Sequence, residues 1–105
     1  MMKYYKIIYL DCSNPKARKA LFKRAAKILH LDEKPKIEEL ERLCKRIQTK
    51  YRIPIVQLAK QENEKWFMSV EISRGTYACF ECLTKYEALL KYVLYAKQRH
   101  EDGKQ

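Results

Sequence analysis

Apolar and polar positions alternate along residues 66–72, where Trp66, Met68, Val70 and Ile72 are interleaved with more polar neighbours. A period of two is the signature of a strand with one buried face. Arg74-Gly75 reads as a turn, and residues 76–82 as a second strand. The following stretch, Leu83-Thr84-Lys85-Tyr86-Glu87-Ala88, has the form of a capping box. In it Thr84 caps a helix, Glu87 reaches back to the Thr84 amide, and Leu83 and Ala88 are placed as a hydrophobic staple. The helix it opens carries Tyr86, Leu89, Leu90, Tyr92, Val93, Leu94 and Ala96 over an arc wider than a surface helix needs. It is expected to be the main helix packed on the sheet. Beyond residue 98 the chain turns polar, which predicts a frayed tail over 100–105.

Upstream, residues 3–10 place Tyr5, Ile7 and Tyr9 on one alternating set and Tyr4, Ile8 and Leu10 on the other, which predicts a strand covered on both faces. Asn14 then caps a helix with Pro15 at its first position, where the missing amide costs nothing. At about 100° per residue, Ala17, Leu21, Phe22, Ala25, Ile28 and Leu29 form an apolar arc, and Lys16, Lys19, Lys23, Lys27 and His30 a narrow stripe opposite it. Pro35, with Glu38, Glu39 and Glu41, marks a second helix, whose Ile37, Leu40, Leu43, Cys44, Ile47 and Tyr51 gather on one side. Pro54 ends it and opens a strand over 53–60, and residues 61–65 are a polar loop.

The expected fold is therefore a single α+β domain over 1–105, in the order β-α-α-β-β-β-α, with a mostly antiparallel sheet and its helices on one face. It divides into a basic strand-helix extension over 1–35, an α-β-β-β-α unit over 36–99 and the tail. A two-residue hairpin loop would pair Ile72 with Tyr77, Val70 with Cys79 and Met68 with Glu81. That register places Phe67, Ser69, Glu71, Ala78, Phe80 and Cys82 together on the other face. Left uncovered, Phe67 and Phe80 would be an aromatic platform for stacking the bases of a single-stranded nucleic acid. Covered by the helical hairpin or by a second chain, they would be core.

The α-β-β-β-α order from Ile37 to Arg99, with residues 66–72 as its middle strand and Thr84-Lys85-Tyr86-Glu87-Ala88 opening its last helix, resembles the double-stranded RNA-binding domain. That family opens its last helix with a Ser/Thr-Lys-Lys-Glu-Ala-Lys type run whose lysines bind phosphates across the major groove. Thr84, Lys85, Glu87 and Ala88 fit the run, while Tyr86 and Leu89 stand where two lysines are expected. The loop Gln61-Glu62-Asn63-Glu64-Lys65 lacks the family's Gly-Pro-x-His signature. The same unit also resembles the sheet-and-helix DNA-binding arms of some integrases. Either resemblance implies a nucleic-acid partner.

Charge sharpens that expectation. The chain carries a net +10, and residues 1–30 hold eight bases against the single acid Asp11, so +7 of the total lies there. Residues 15–30 contain no acid. Lysines at i, i+3, i+7 and i+11 on one helix face suit a row of phosphates, with Arg24, Arg74, Lys85 and Lys91 as supporting contacts. Hydrophobic residues are 47% of the 105, too many for a disordered chain. No apolar run approaches the roughly 18–20 residues of a membrane span. With no signal-peptide cleavage site readable at the amino terminus, a cytoplasmic protein with no membrane partner is expected.

Catalytic signals are few. Gly75 and Gly103 are the only glycines, which rules out a glycine-rich phosphate loop. Neither histidine lies beside a readable nucleophile, and Ser13, Ser69 and Ser73 have no base beside them. Cys79-Phe80-Glu81-Cys82 is a CxxC, but its strand setting is not that of a thioredoxin-like site, and alternation sends its two thiols to opposite faces. Cys12, Cys44, His30 and His100 are too scattered for a zinc site. The four cysteines are expected as reduced core residues, with no metal, no cofactor and no enzymatic activity. The leading expectation is a small nucleic-acid-binding protein, DNA or RNA. The alternative is an inhibitor or accessory subunit of the phage or mobile-element type, docking its basic face on an acidic or nucleic-acid-bound partner. The tyrosines at 4, 5, 9, 86, 92 and 95 also suggest a homodimer, being more aromatic surface than a small domain readily buries.

Overall fold

A computed structural model describes residues 6–29 and 34–102. The elements follow in the expected order: β1 (Lys6–Asp11), α1 (Pro15–Ile28), α2 (Ile37–Tyr51), β2 (Ile55–Lys60), β3 (Trp66–Ser73), β4 (Thr76–Cys82) and α3 (Lys85–Asp102). They form an α+β domain with a four-stranded sheet in the order β1-β4-β3-β2. β2, β3 and β4 are antiparallel, and β1 joins β4 in parallel at the edge.

Local sequence starts and stops the helices. The Asn14 side chain accepts from the Ala17 amide at 2.8 Å, and Pro15 opens α1. α2 ends at Arg52, whose left-handed backbone (φ 56°, ψ 43°) turns the chain towards Pro54. The Thr84 hydroxyl accepts from the Glu87 amide at 3.1 Å, as the capping box requires. The other half of the box differs from expectation. The Glu87 carboxylate is taken up by the Thr84 hydroxyl at 2.7 Å and by Arg18 Nε at 2.5 Å instead of the Thr84 amide.

α3 is the central helix, packed on β3 and β4 and flanked by α1 and α2. Ala88, Leu89, Leu90, Tyr92, Val93, Leu94 and Ala96 are all buried, which accounts for its wide apolar arc. Two of its tyrosines hold the connections around α2. Tyr86 donates to the Pro35 carbonyl and Tyr92 to the Ile53 carbonyl, each at 2.6 Å. Tyr92 is fully buried and Tyr86 and Tyr95 half-buried, so this helix does not supply the surplus aromatic surface from which a homodimer was expected. Tyr4 and Tyr5 lie outside the described residues. α3 also continues to Asp102 through the first half of the expected tail, and His100 stacks flat on Tyr51 of α2 at 4.1 Å between ring centroids.

The hairpin register corrects the sequence expectation. The loop is Arg74-Gly75, and Gly75 has φ 79°, where a Cβ would be strained. A bulge between Glu71 and Ser73, however, shifts the pairing by one, so that Glu71 meets Tyr77, Val70 meets Ala78 and Met68 meets Phe80. A one-residue slip moves an entire side-chain set to the opposite face. Ala78, Phe80 and Cys82 therefore join Met68 and Val70 under the helices, while Tyr77, Cys79 and Glu81 lie beside Phe67, Ser69 and Glu71 on the open face. Burial decides between the registers: the unbulged one would set Glu81 opposite Met68 in the core. β1 departs from expectation too. Ile8 and Leu10 face the core, but Ile7 and Tyr9 are 65% and 54% exposed, so the strand is covered on one face only.

Phe80→Ala should cost about 3–5 kcal/mol in urea denaturation, as a large deletion from the core, and Phe67→Ala only about 1 kcal/mol. Equal losses would contradict the bulged register. Stability should also fall in alkali. Burial pushes the Cys44 thiol up to about 12 from an ordinary 9.0, and raises Tyr92 as well. The folded protein thus keeps protons that the unfolded chain releases, and stability that is complete below pH about 9 declines as pH rises towards about 12. Denaturant midpoints measured across that range should drop, and drop less steeply in Cys44→Ala.

Candidate nucleic-acid interface

The lysine row of α1 lies where its helical spacing places it. Lys16, Lys19, Lys23 and Lys27 are exposed, opposite the buried Leu21 and Ala25. None forms an ion pair among the described residues. From Lys16 to Lys27 the helix rises about 16 Å, the length of several nucleotides. Arg24 is exposed at the side of this row and lines a cleft between α1 and α3. His30 lies outside the described residues.

The other expected contacts are dispersed. Lys85 pairs with Glu41 of α2 at 3.3 Å. Lys91 is half-buried, its Nζ 5.9 Å from the centroid of the Phe80 ring. Arg74 sits at the tip of the β3–β4 hairpin, on a different element from the lysine row. The stacking platform does not form. Phe80 has no exposed surface and packs edge-on against Tyr95 of α3 in the core. Phe67 does lie on the open face, but it pairs across the strands with Glu81, and Glu71 and Asp11 share that face. Three carboxylates among the apolar side chains make this side of the sheet unfavourable for phosphates.

Two features of the charge pattern were not singled out from the sequence. Arg18 is not part of the free basic surface: it lies on the inner side of α1, and its guanidinium grips the buried Glu87 through Nε and Nη2. A lone base within the apolar arc was the available signal for a buried carboxylate partner. The second feature is a basic face on α2. Arg42, Lys45, Arg46 and Lys50 are exposed and, with Glu39 and Thr49, line a shallow depression on the outside of that helix. Their i, i+3/i+4 spacing was visible, but Glu38, Glu39 and Glu41 in the preceding turn cancel the charge when it is summed over the segment.

Among the described residues no cluster of three or more His, Cys, Asp or Glu side chains could hold a metal ion, and no helix is long and apolar enough to cross a membrane. The CxxC is split as alternation predicts, with Cys82 in the core and Cys79 beside Ser69 on the open face. Asp11 accepts from the Ser13 hydroxyl and amide, which hold its carboxyl below its ordinary range and tighten the chain between β1 and α1.

Brief acetylation of the folded protein followed by peptide mapping should modify Lys16, Lys19, Lys23, Lys27 and Lys45 ahead of Lys91. Early labelling of Lys91 would show that α3 is less covered than the half-buried position of that side chain requires. Comparison with known protein families, with curated proteins and with solved structures finds no match for this chain.

Proposed function

We propose that this chain is a small nucleic-acid-binding protein that holds the phosphate backbone on the outer faces of α1 and α2. The observation that carries the reading is the separation of charge between the two faces of the molecule. Lysines and arginines without an ion pair among the described residues line the outside of α1 and the later turns of α2, whose beginning carries Glu38, Glu39 and Glu41, and the carboxylates of Asp11, Glu71 and Glu81 lie on the open sheet. Such a row binds by releasing counterions from the polyanion, with little dependence on base sequence. The order of α2, β2, β3, β4 and α3 agrees with the resemblance to a double-stranded RNA-binding domain. With Lys85 engaged by Glu41, the lysines of α1 take the phosphate-binding part that the family gives to its last helix. The reading is one of binding, without a catalytic step.

A protein partner is the second reading, favoured by Ile7, Tyr9 and Val56, which are exposed and which phosphate binding does not use. In that case the basic helices dock on an acidic or nucleic-acid-bound surface of a larger complex.

Fluorescence anisotropy with labelled single- and double-stranded DNA and RNA, across a series of salt concentrations, tests both. Binding should weaken steeply with salt. Replacing Lys19 and Lys23 by Gln should reduce the slope of log K against log salt by about 2 on duplex, close to one per lysine removed. Phe67→Ala should leave binding unchanged. No binding at low salt would overturn the nucleic-acid reading and leave the protein partner.

A further inference from the structure

The parallel pairing of β1 with β4 brings two thiols together. Its register ends at Asp11 opposite Glu81, and the Cys12 amide donates to the Glu81 carbonyl at 2.7 Å. The next residues on the two strands, Cys12 and Cys82, therefore stand opposite each other, both buried on the core side. Neighbouring strands lie about 4.8 Å apart, within the roughly 4.4–6.8 Å that separates the Cα atoms of a disulfide. Each thiol stands close enough to shift the acidity of the other, and the Cys12 thiol is also directed to the Leu10 carbonyl at 3.9 Å.

They differ in access. Cys12 lines a cleft of about 290 Å³ between β1, α1 and α3, together with Arg24, Lys91 and Tyr95. Cys82 does not line it and has no exposed surface. They differ in acidity as well. The neighbouring Cys82 thiol, and then the charge of Lys91, hold the Cys12 thiol below the ordinary thiol range, while Cys12 and burial raise Cys82. An acidified thiol that lines a cleft, next to a second and enclosed thiol, is the arrangement of an attacking and a resolving cysteine.

We infer that Cys12 and Cys82 are a redox-active pair that reduces small hydroperoxides and closes as a disulfide between β1 and β4. The Cys12 thiolate attacks the peroxide and breaks the O–O bond, giving a sulfenic acid and a hydroxide that takes up the proton lost from Cys12. Cys82 sulfur then attacks Cys12 sulfur, the S–O bond breaks, and hydroxide leaves with the Cys82 proton as water. The two thiols are oxidised by two electrons, and hydrogen peroxide is reduced to two waters. The bond ties the edge strand that leads into the basic helix to the interior of the sheet. Cys79 takes no part, since it lies on the opposite face. Nor does Cys44, held between α2 and α3 with its thiol directed to the Leu89 carbonyl at 3.6 Å.

The test treats the reduced full-length chain with stoichiometric hydrogen peroxide, then unfolds, alkylates, digests and maps it by mass spectrometry. A linked peptide pair joining Cys12 to Cys82, with Cys44 and Cys79 alkylated and the protein monomeric on a non-reducing gel, is the expected result. Dithiothreitol should reverse it and lower the urea midpoint. In Cys82→Ser, dimedone should trap a sulfenic acid on Cys12. Free thiols at both positions, a bridge to Cys44 or Cys79, bridging between chains only, or Cys12 carried to sulfinic acid beside a free Cys82 would each overturn the inference. The map of the wild-type protein decides the matter even where a serine variant fails to fold.

Discussion

A carboxylate almost without exposed surface, Glu87 in the first turn of α3, constrains the arrangement of the helices. Burying a charge is costly unless it is paired and hydrogen-bonded, and Glu87 meets both conditions only when α1 lies alongside α3. Thr84 supplies one hydrogen bond from the same turn, and Arg18 supplies two from 69 residues earlier in the chain. The pair adds little net stability by being present, but either member would be left unsatisfied by its absence. Arg18 fixes the rotation of α1 as well as its place. With its guanidinium turned inward, the lysines on the opposite side of the helix must point away from the domain.

A second constraint acts on the sheet. The bulge near Ser73 leaves Ile72 outside the regular pairing and in return moves Glu81 out of the core. On the open face Glu81 finds Asn63 at 3.1 Å and Lys65 at 4.0 Å. The same slip carries Phe80 inward and removes half of the apparent aromatic platform. Bulge and ion pair thus set the lysine row of α1 on one side of the domain and Asp11, Glu71 and Glu81 on the open face of the sheet.

The parallel addition of β1 is the unusual step in an otherwise antiparallel sheet. It places a basic helix, through the short Cys12-Ser13-Asn14 connection, next to α3, and sets Cys12 opposite Cys82. The edge it creates is partly apolar: Ile7 and Tyr9 project from the open face beside Tyr77 and Cys79. Among the described residues no helix packs on that face.

Local chemistry in the sequence determined the elements, their order and most of their ends. The Asn14-Pro15 start, the Thr84 cap, the Arg74-Gly75 turn and the wide apolar arc of α3 act over a few residues and needed no partner to be read. The lysine stripe of α1 was legible for the same reason, being a matter of spacing on one helix. Tertiary structure alone decided which bases remain free and which face each strand presents. Arg18 resembled its neighbours until Glu87 came to lie beside it, and Lys85 until it met Glu41. The hairpin register hung on one unpaired residue, which alternation within a single strand does not reveal. Cys12 and Cys82 are 70 positions apart, and only the pairing of an edge strand brings them together. Long-range pairing is settled by the burial of the whole core, so it is the part of the fold that local pattern cannot carry.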